Sequence, residues 1–150
     1  MSSTSWLVLF LALLGVSACG GSSELEDVAE VARHAGSIKV RQDACAQIAE
    51  IGGSEAVDVL IGFLDDEVLW YCAAHSLGEL RDPRAVDPLL VRTRSGGDRS
   101  QKMVWALGEI QDRRALAELE AMDRALQPAT DQERRLKQSL KEAIAKISAG

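Results

Sequence analysis

Apolar residues recur along most of the chain at the three- and four-residue spacing of amphipathic helices. Three ten-residue segments of this pattern align without gaps: IAEIGGSEAV (48–57), LGELRDPRAV (77–86) and LGEIQDRRAL (107–116). Their starts lie 77 − 48 = 29 and 107 − 77 = 30 residues apart. Each segment combines the end of one helix, a short turn and the start of another. The pattern therefore predicts a helical hairpin that repeats about every thirty residues.

Each hairpin is predicted to hold a first helix, A, and a second helix, B. Helices A are expected at about 38–51, 67–80 and 98–110, and helices B at about 54–64, 84–93 and 113–125. Asp82 and Asp112 are predicted N-caps of helices B, and Pro83 suits a first-turn position. In the first hairpin, Gly53 or Ser54 is expected to cap helix B.

Two flanking segments extend this pattern at both ends. Residues 24–35 resemble a lone helix B, and the segment from Thr130 onward carries apolar residues at helical spacing, as a last helix A would. The chain is therefore predicted to be all-α, a short solenoid of about three and a half hairpins with capping helices.

Composition supports a helical fold and narrows the range of partners. Apolar residues make up 47% of the sequence but aromatic residues only 4%, which favours packed helices over sheets. Seventeen Lys and Arg oppose 23 Asp and Glu, for a net charge of −6. Nucleic-acid binding needs a basic stripe, and the chain has none, so we expect no nucleic-acid partner.

The second and third aligned segments resemble the HEAT-like repeat that also occurs in phycobilisome lyases. The resemblance covers about residues 38–125 and implies a right-handed α-solenoid. The first repeat departs from the pattern, because Ala49 stands where the others have Gly and Gly53 where they have Asp. We expect this repeat to fold nevertheless.

The N-terminus resembles that of a bacterial lipoprotein. Residues Trp6 to Val16 form an uncharged apolar run of 11, too short for the roughly 20 residues that span a bilayer. Val16-Ser17-Ala18-Cys19 then resembles a lipobox. The resemblance implies that residues 1–18 are a cleaved signal peptide and that Cys19 carries diacylglycerol, usually with a third chain such as palmitate. An ordinary signal peptide or a short buried helix is the alternative, and the absence of Lys and Arg before the run departs from the family.

These features divide the chain into three parts. After residues 1–18 come lipidated Cys19 and a flexible tether, 19–23, and then the HEAT-like domain, 24–150. In families that sort by the residue after the lipidated Cys, an acidic residue retains the protein at the inner membrane. Gly20 therefore implies the outer membrane, with the protein facing the periplasm.

The sequence offers no group of residues suited to catalysis. His34 and His75 lie in different repeats without Cys at ligand spacing, and there is no C-x-x-C, G-x-S-x-G or phosphate-binding glycine loop. Glu50, Glu79 and Glu109 share one repeat position, as a structural repeat predicts. We expect no enzyme activity, metal site or cofactor.

Cys45 and Cys72 lie in helices A of adjacent repeats but two alignment columns apart. They need not face each other, so small buried or half-buried residues are favoured over a disulfide, which remains the alternative in an oxidising compartment.

Large aromatic residues occupy unusual columns of helices A, where this repeat type commonly has charged residues. The alignment places His75 beside Trp105, while Tyr71 and His75 lie one helical turn apart, with Trp70 near. Trp70, Tyr71, His75 and Trp105 are therefore candidate partner-binding residues in an exposed aromatic patch. The alternative is that neighbouring side chains cover them.

The opposite surface is predicted to be a groove lined by small or acidic residues of helices B: Asp58, Gly62, Asp87, Val91, Glu118 and Ala121. An acidic groove would prefer a basic partner segment.

Two hypotheses for function follow. The first is a non-catalytic scaffold or adaptor, anchored to the cell envelope through Cys19, that binds an envelope protein. The alternative, implied by the family resemblance alone, is a lyase or chaperone for a chromophore or another apolar ligand.

Overall fold

The computed structural model describes residues 21–94 and 99–150. Within these ranges the chain forms eight α-helices and no β-strand, which confirms the predicted all-α class. The helices are α1 (Gly21–His34), α2 (Ile38–Ile51), α3 (Gly53–Gly62), α4 (Trp70–Leu80), α5 (Val86–Arg94), α6 (Ser100–Ile110), α7 (Leu116–Ala125) and α8 (Asp131–Ala149). Short 3-10 turns follow α3 at Phe63–Asp65 and precede α5 and α7 at Pro83–Ala85 and Arg113–Ala115.

The helices form three stacked hairpins, α2–α3, α4–α5 and α6–α7, between the capping helices α1 and α8. Helices A pack in the order α2, α4, α6, α8, and α1 packs on α2 as the predicted cap. The first aligned column, Ile48, Leu77 and Leu107, is fully buried in all three hairpins. The chain is thus a short α-solenoid with one continuous apolar core.

Two helix starts differ from the prediction. Helix α4 begins at Trp70 and not near residue 67, because the Asp66 carboxylate accepts hydrogen bonds from the N–H groups of Val68 and Leu69 at 2.7 and 2.9 Å. These bonds stabilise a turn before the helix. Helix α1 begins at Gly21, so residues 21–23, which were predicted to belong to a flexible tether, lie in its first turn. Polar residues followed by Glu24 suit a helix N-terminus, where negative charge is stabilising.

The three hairpin turns share a residue with positive φ that ends helix A, and in the second and third turns this residue is left-handed helical. Gly52, Arg81 and Gln111 have φ values of 68°, 53° and 59°, and each N–H bonds to the carbonyl oxygen four residues earlier. In the second and third turns Asp82 and Asp112 then accept a hydrogen bond from the N–H two residues later, which confirms the predicted caps. The first turn has Gly52 as its N-cap and no side-chain cap.

Glycines in the repeat motif let successive helices A approach closely. A methyl group at Gly108 would lie 2.9 Å from both Cα and Cβ of Ala143 on α8. A methyl group at Gly78 would lie 2.9 Å from a ring carbon of Trp105 and 3.1 Å from Cα of Ala106 on α6. The first repeat carries Ala49 at this position, so α4 packs on α2 without such a glycine contact.

Arg41 of α2 ties together three segments near the start of the stack. Its Nε donates to the Ala32 carbonyl of α1, and its Nη2 donates to the Asp66 carboxylate before α4, both at 2.8 Å. The Arg41 side chain is only 17% exposed, so this ion pair is partly shielded from water.

Candidate interaction surface

An aromatic cluster lies where α4 and α6 pack side by side, and it consists of Trp70, Tyr71, His75, Lys102 and Trp105. The first three residues are on α4 and the last two on α6. The His75 and Trp105 rings are 5.0 Å apart, which confirms the contact expected from the alignment. The Trp70 and Tyr71 rings are 5.5 Å apart in an edge-to-face arrangement.

The Lys102 ammonium lies at the centre of the cluster. Its Nζ is 3.6 Å from the Trp105 ring centroid and 4.8 Å from that of Tyr71, both within cation–π range. Nζ also lies 3.0 Å from Nδ1 of His75. Because an ammonium group only donates, His75 accepts through Nδ1 and carries its proton on Nε2, which faces Glu79 at 3.6 Å.

Burial among these rings lowers the pKa of Lys102, since the charged form loses part of its hydration. Glu79, Glu109 and Cys72 act in the opposite direction through their negative charges. The amine is thus held by aromatic faces and an imidazole, with carboxylates farther away.

The four predicted partner-binding residues differ in exposure. Tyr71 is 55% exposed, whereas Trp70, His75 and Trp105 are half-buried, and the two tryptophans pack against the core. Trp105 occupies the space that a side chain at Gly78 would fill. The guanidinium of Arg99 covers the Trp70 ring at 5.2 Å. The cluster is therefore a partly exposed surface with Tyr71 at its most accessible point.

Lys102 is the member of this cluster that the sequence analysis did not identify. It lies one helical turn before Trp105, and its alignment column contains Cys72 of the preceding repeat. That spacing puts a cation beside an aromatic ring on the same helix face, a usable sequence signal.

The predicted acidic groove on helices B is neutralised by arginines. Asp58 pairs with Arg84 at 3.1 Å, Asp87 lies 3.9 Å from Arg114, and Glu118 forms a hydrogen-bonded ion pair with Arg94. The carboxylates predicted to line this groove are therefore paired with arginines, which weakens the argument for a preference for basic segments.

The repeated glutamates do not converge on one site. Glu50 and Glu79 are exposed, whereas Glu109 is half-buried between Arg81 at 3.7 Å and Lys146. Their shared column is therefore a feature of the repeat, and Glu109 forms ion pairs with the segments on both sides of its own hairpin.

Cys45 and Cys72 lie on packed helices α2 and α4, close enough that each thiol affects the pKa of the other, although their columns did not require this. Cys45 is buried and Cys72 half-buried, as predicted, and both are free thiols. Aligning hairpins column by column does not give the rotation between successive helices, and this rotation brings the two columns together.

Only some of the other predicted features fall on residues that the structure describes. The signal peptide (1–18) and Cys19 lie outside the described residues. In residues 21–94 and 99–150, no three His, Cys, Asp or Glu side chains cluster in a way that could hold a metal ion. In the same ranges, no helix combines the length and apolarity needed to cross a bilayer.

The chain is similar to HEAT-repeat proteins in both sequence and structure. The family model for HEAT repeats matches residues 25–101, and that for the PBS lyase HEAT-like repeat matches residues 102–122. No curated protein matches the chain significantly.

Among solved structures, human deoxyhypusine hydroxylase in complex with glycerol superposes with a TM-score of 0.72 at 19% sequence identity. The match covers 85% of this chain but only 44% of the hydroxylase chain, so this chain spans less than half of that protein. At this identity the similarity concerns the fold alone. The matching family model, which spans more than half of the sequence, shows that this chain belongs to the HEAT-repeat family.

Proposed function

We propose that this chain is a non-catalytic protein-interaction module of the bacterial cell envelope, anchored through lipid on Cys19. Its partner is another envelope protein, which it binds through the aromatic cluster. The observation that carries this proposal is the 55% exposure of Tyr71 beside two tryptophans and a desolvated lysine. Tyrosine, tryptophan and cations in a partly buried patch are typical of the residues that contribute most to protein–protein binding.

The HEAT-repeat fold supports this proposal, because such solenoids offer a rigid, extended surface to partners. Tyr71 can pack against an apolar side chain of the partner through its ring, while its hydroxyl offers a hydrogen bond at the rim. Lys102 adds a positive charge that the partner can approach once water is excluded.

The lyase alternative has less support. A chromophore needs a deep apolar pocket with a few polar groups. The depression between the first and second hairpin turns is open to solvent and has Asp82 and Arg84 in its wall. We therefore carry no activity over from the lyase family or from the hydroxylase.

The anchor is tested by expressing the full chain in bacteria beside its Cys19→Ala variant. We expect the wild-type protein to begin at Cys19, carry the mass of lipid and remain with the outer membrane. The variant should lose the lipid and leave the membrane fraction. A wild-type protein that retains residues 1–18, or a variant that partitions in the same way as wild type, would contradict the anchor.

The interaction surface is tested by photocrosslinking in intact envelopes. A photoreactive phenylalanine analogue replaces Tyr71, and a matched control places it at Ile38, which is 60% exposed on α2 outside the cluster. We expect a discrete protein adduct from position 71 and none from position 38. Identical adducts from both positions, or none from position 71, would count against the surface.

A further inference from the structure

The contact between Cys45 and Cys72 connects the first two hairpins. Cys45 lies on α2 and is fully buried, and Cys72 lies on α4, which packs on α2 and places the two thiols close enough to influence each other's pKa. Cys72 Sγ also lies 3.6 Å from the Gln42 carbonyl oxygen, one turn before Cys45. This contact holds the Cys72 sulfur against the face of α2 that carries the other thiol.

The two thiols have different surroundings. Cys72 is half-buried, whereas Cys45 has no exposed surface, so an external reagent reaches Cys72 first. The Cys72 thiol donates a hydrogen bond to the Gln42 carbonyl oxygen at 3.6 Å, and the Cys45 thiol, the Ser76 side chain and the Lys102 charge all influence the ionisation of its sulfur. Asp43 and Asp66 are the carboxylates that act against ionisation of the pair.

These surroundings separate the acidities of the two thiols. The Cys45 thiol, together with Ser76 and Lys102 and against the effect of burial, lowers the pKa of Cys72 to about 7. The Cys72 thiol and burial raise the pKa of Cys45. A thiolate is the nucleophile in thiol–disulfide exchange, so Cys72 is suited to attack and Cys45 to resolve.

We propose that Cys45 and Cys72 form a reversible disulfide that links α2 to α4, with a low-molecular-weight or protein disulfide as the oxidant. The Cys72 thiolate attacks one sulfur of the oxidant, forms a mixed disulfide and releases the first thiolate. The Cys45 thiol then attacks the Cys72 sulfur, and its proton passes to the second thiolate as that group leaves. The protein loses two electrons and two protons, and the oxidant is reduced to two thiols.

This disulfide would form next to the aromatic cluster along α4, since Cys72 directly follows Trp70 and Tyr71. Its formation removes the Cys72 thiolate from the surroundings of Lys102 and covalently fixes the start of α4. The proposal depends only on the packing of α2 and α4, so it holds whether or not the chain is lipid-anchored.

The test uses the full chain with Cys19→Ala, so that only Cys45 and Cys72 remain. The folded protein is incubated with oxidised glutathione and is then denatured in the presence of maleimide, which labels free thiols. The mass of the intact protein is then measured. We expect the mass to fall by two hydrogens and no maleimide to attach to the protein. Dithiothreitol should then restore two reactive thiols. Two thiols still free after oxidation, disulfide-linked dimers or stable glutathione adducts on the two-cysteine protein would each overturn the proposal.

Single variants test the assignment of roles. In Cys45→Ala, which matches the alanine found at this column in the second hairpin, Cys72 should keep glutathione as a stable mixed disulfide. In Cys72→Ser, the buried Cys45 should react at least about tenfold more slowly. Circular dichroism confirms that both variants remain helical. Equal reaction rates in the two folded variants would overturn the assignment of Cys72 as the attacking thiol.

Discussion

The first hairpin and the two that follow it use different contacts at equivalent positions. Between α4 and α6, and between α6 and α8, a glycine of the repeat motif brings helix backbones together. Between α2 and α4, Ala49 replaces that glycine and two thiols meet instead. The first turn lacks the aspartate cap of the other two as well. A repeat can therefore leave its family motif at several positions and still stack, provided another contact fills the space.

The largest expected effect concerns the contact between α2 and α4, which a disulfide would make stronger than the glycine contacts of the later hairpins. Oxidation of Cys45 and Cys72 closes a loop with a spacing of 72 − 45 = 27 residues, which in the chain-entropy model stabilises by about 3.5 kcal/mol. Urea unfolding of the oxidised and reduced protein in the Cys19→Ala background measures this difference. The Cys45→Ala variant should show no gain with oxidant, and a gain there would assign the effect to something else.

The next effect tests the glycine contacts. We expect Gly108→Ala to destabilise the protein by about 2 kcal/mol, because the new methyl group meets the backbone of Ala143 at 2.9 Å and α8 must move. Gly62→Ala is the matched control, because this exposed helical glycine has no atom within 4 Å of an added methyl group. The free energy of unfolding of this control should rise by up to about 1 kcal/mol, because alanine has the higher helix propensity. Equal changes in both variants would show that close approach at Gly108 does not matter.

A smaller effect is expected at the hairpin turns. Asp112→Ala should cost about 1 kcal/mol, because the N–H of Arg114 loses its acceptor. Glu55→Gln changes an exposed residue in the first turn of helix α3. It should shift the free energy of unfolding by less than about 0.5 kcal/mol. If the two changes cost the same in urea unfolding, the aspartate cap does not distinguish the turns.

The stability that Asp112 gives to this turn should depend on pH. Side-chain and backbone hydrogen bonds from Arg114 lower the pKa of Asp112 in the folded protein. A lowered folded pKa gives stability that is present above the ordinary pKa and is lost as the pH falls through the folded pKa. The advantage of wild type over Asp112→Asn should therefore shrink as the pH falls from about 6 to about 2. A constant difference over this range would show that the ionised carboxylate adds nothing.

The smallest effect on stability is expected at Tyr71, whose alignment column holds Gln42 and Gln101 in the other hairpins. Tyr71→Gln should change the free energy of unfolding by less than about 0.5 kcal/mol, because the side chain is 55% exposed. It should nevertheless weaken partner capture from envelopes. A large loss of stability would mean that Tyr71 supports the fold, and capture at wild-type strength would remove it from the binding surface.

Much of the fold could be predicted because three copies of one pattern reinforce each other. The buried columns, the aspartate caps and the contact of His75 with Trp105 all follow from the alignment. Helix starts were harder to predict from the apolar pattern. A single side chain such as Asp66 can stabilise a turn that this pattern does not indicate.

The site was less predictable because it depends on geometry between repeats. The position of the Lys102 ammonium depends on a long, flexible side chain, and the thiol contact depends on the rotation between α2 and α4. The pairing of Asp58 with Arg84 joins residues of successive hairpins, 84 − 58 = 26 positions apart. The thiol contact and the Asp58–Arg84 pair are not visible when each repeat is considered alone.

Arg41 couples the first hairpin to both of its neighbours through one side chain. In repeat arrays each unit touches only its neighbours, so the ends can fray one unit at a time where these contacts are weak. Arg41 contacts the segment before its own hairpin and the segment after it, through Ala32 and Asp66. Opening of α1 alone would leave this guanidinium without one of its acceptors. Amide protons from α1 to the start of α4 should then exchange with solvent as one cooperative unit.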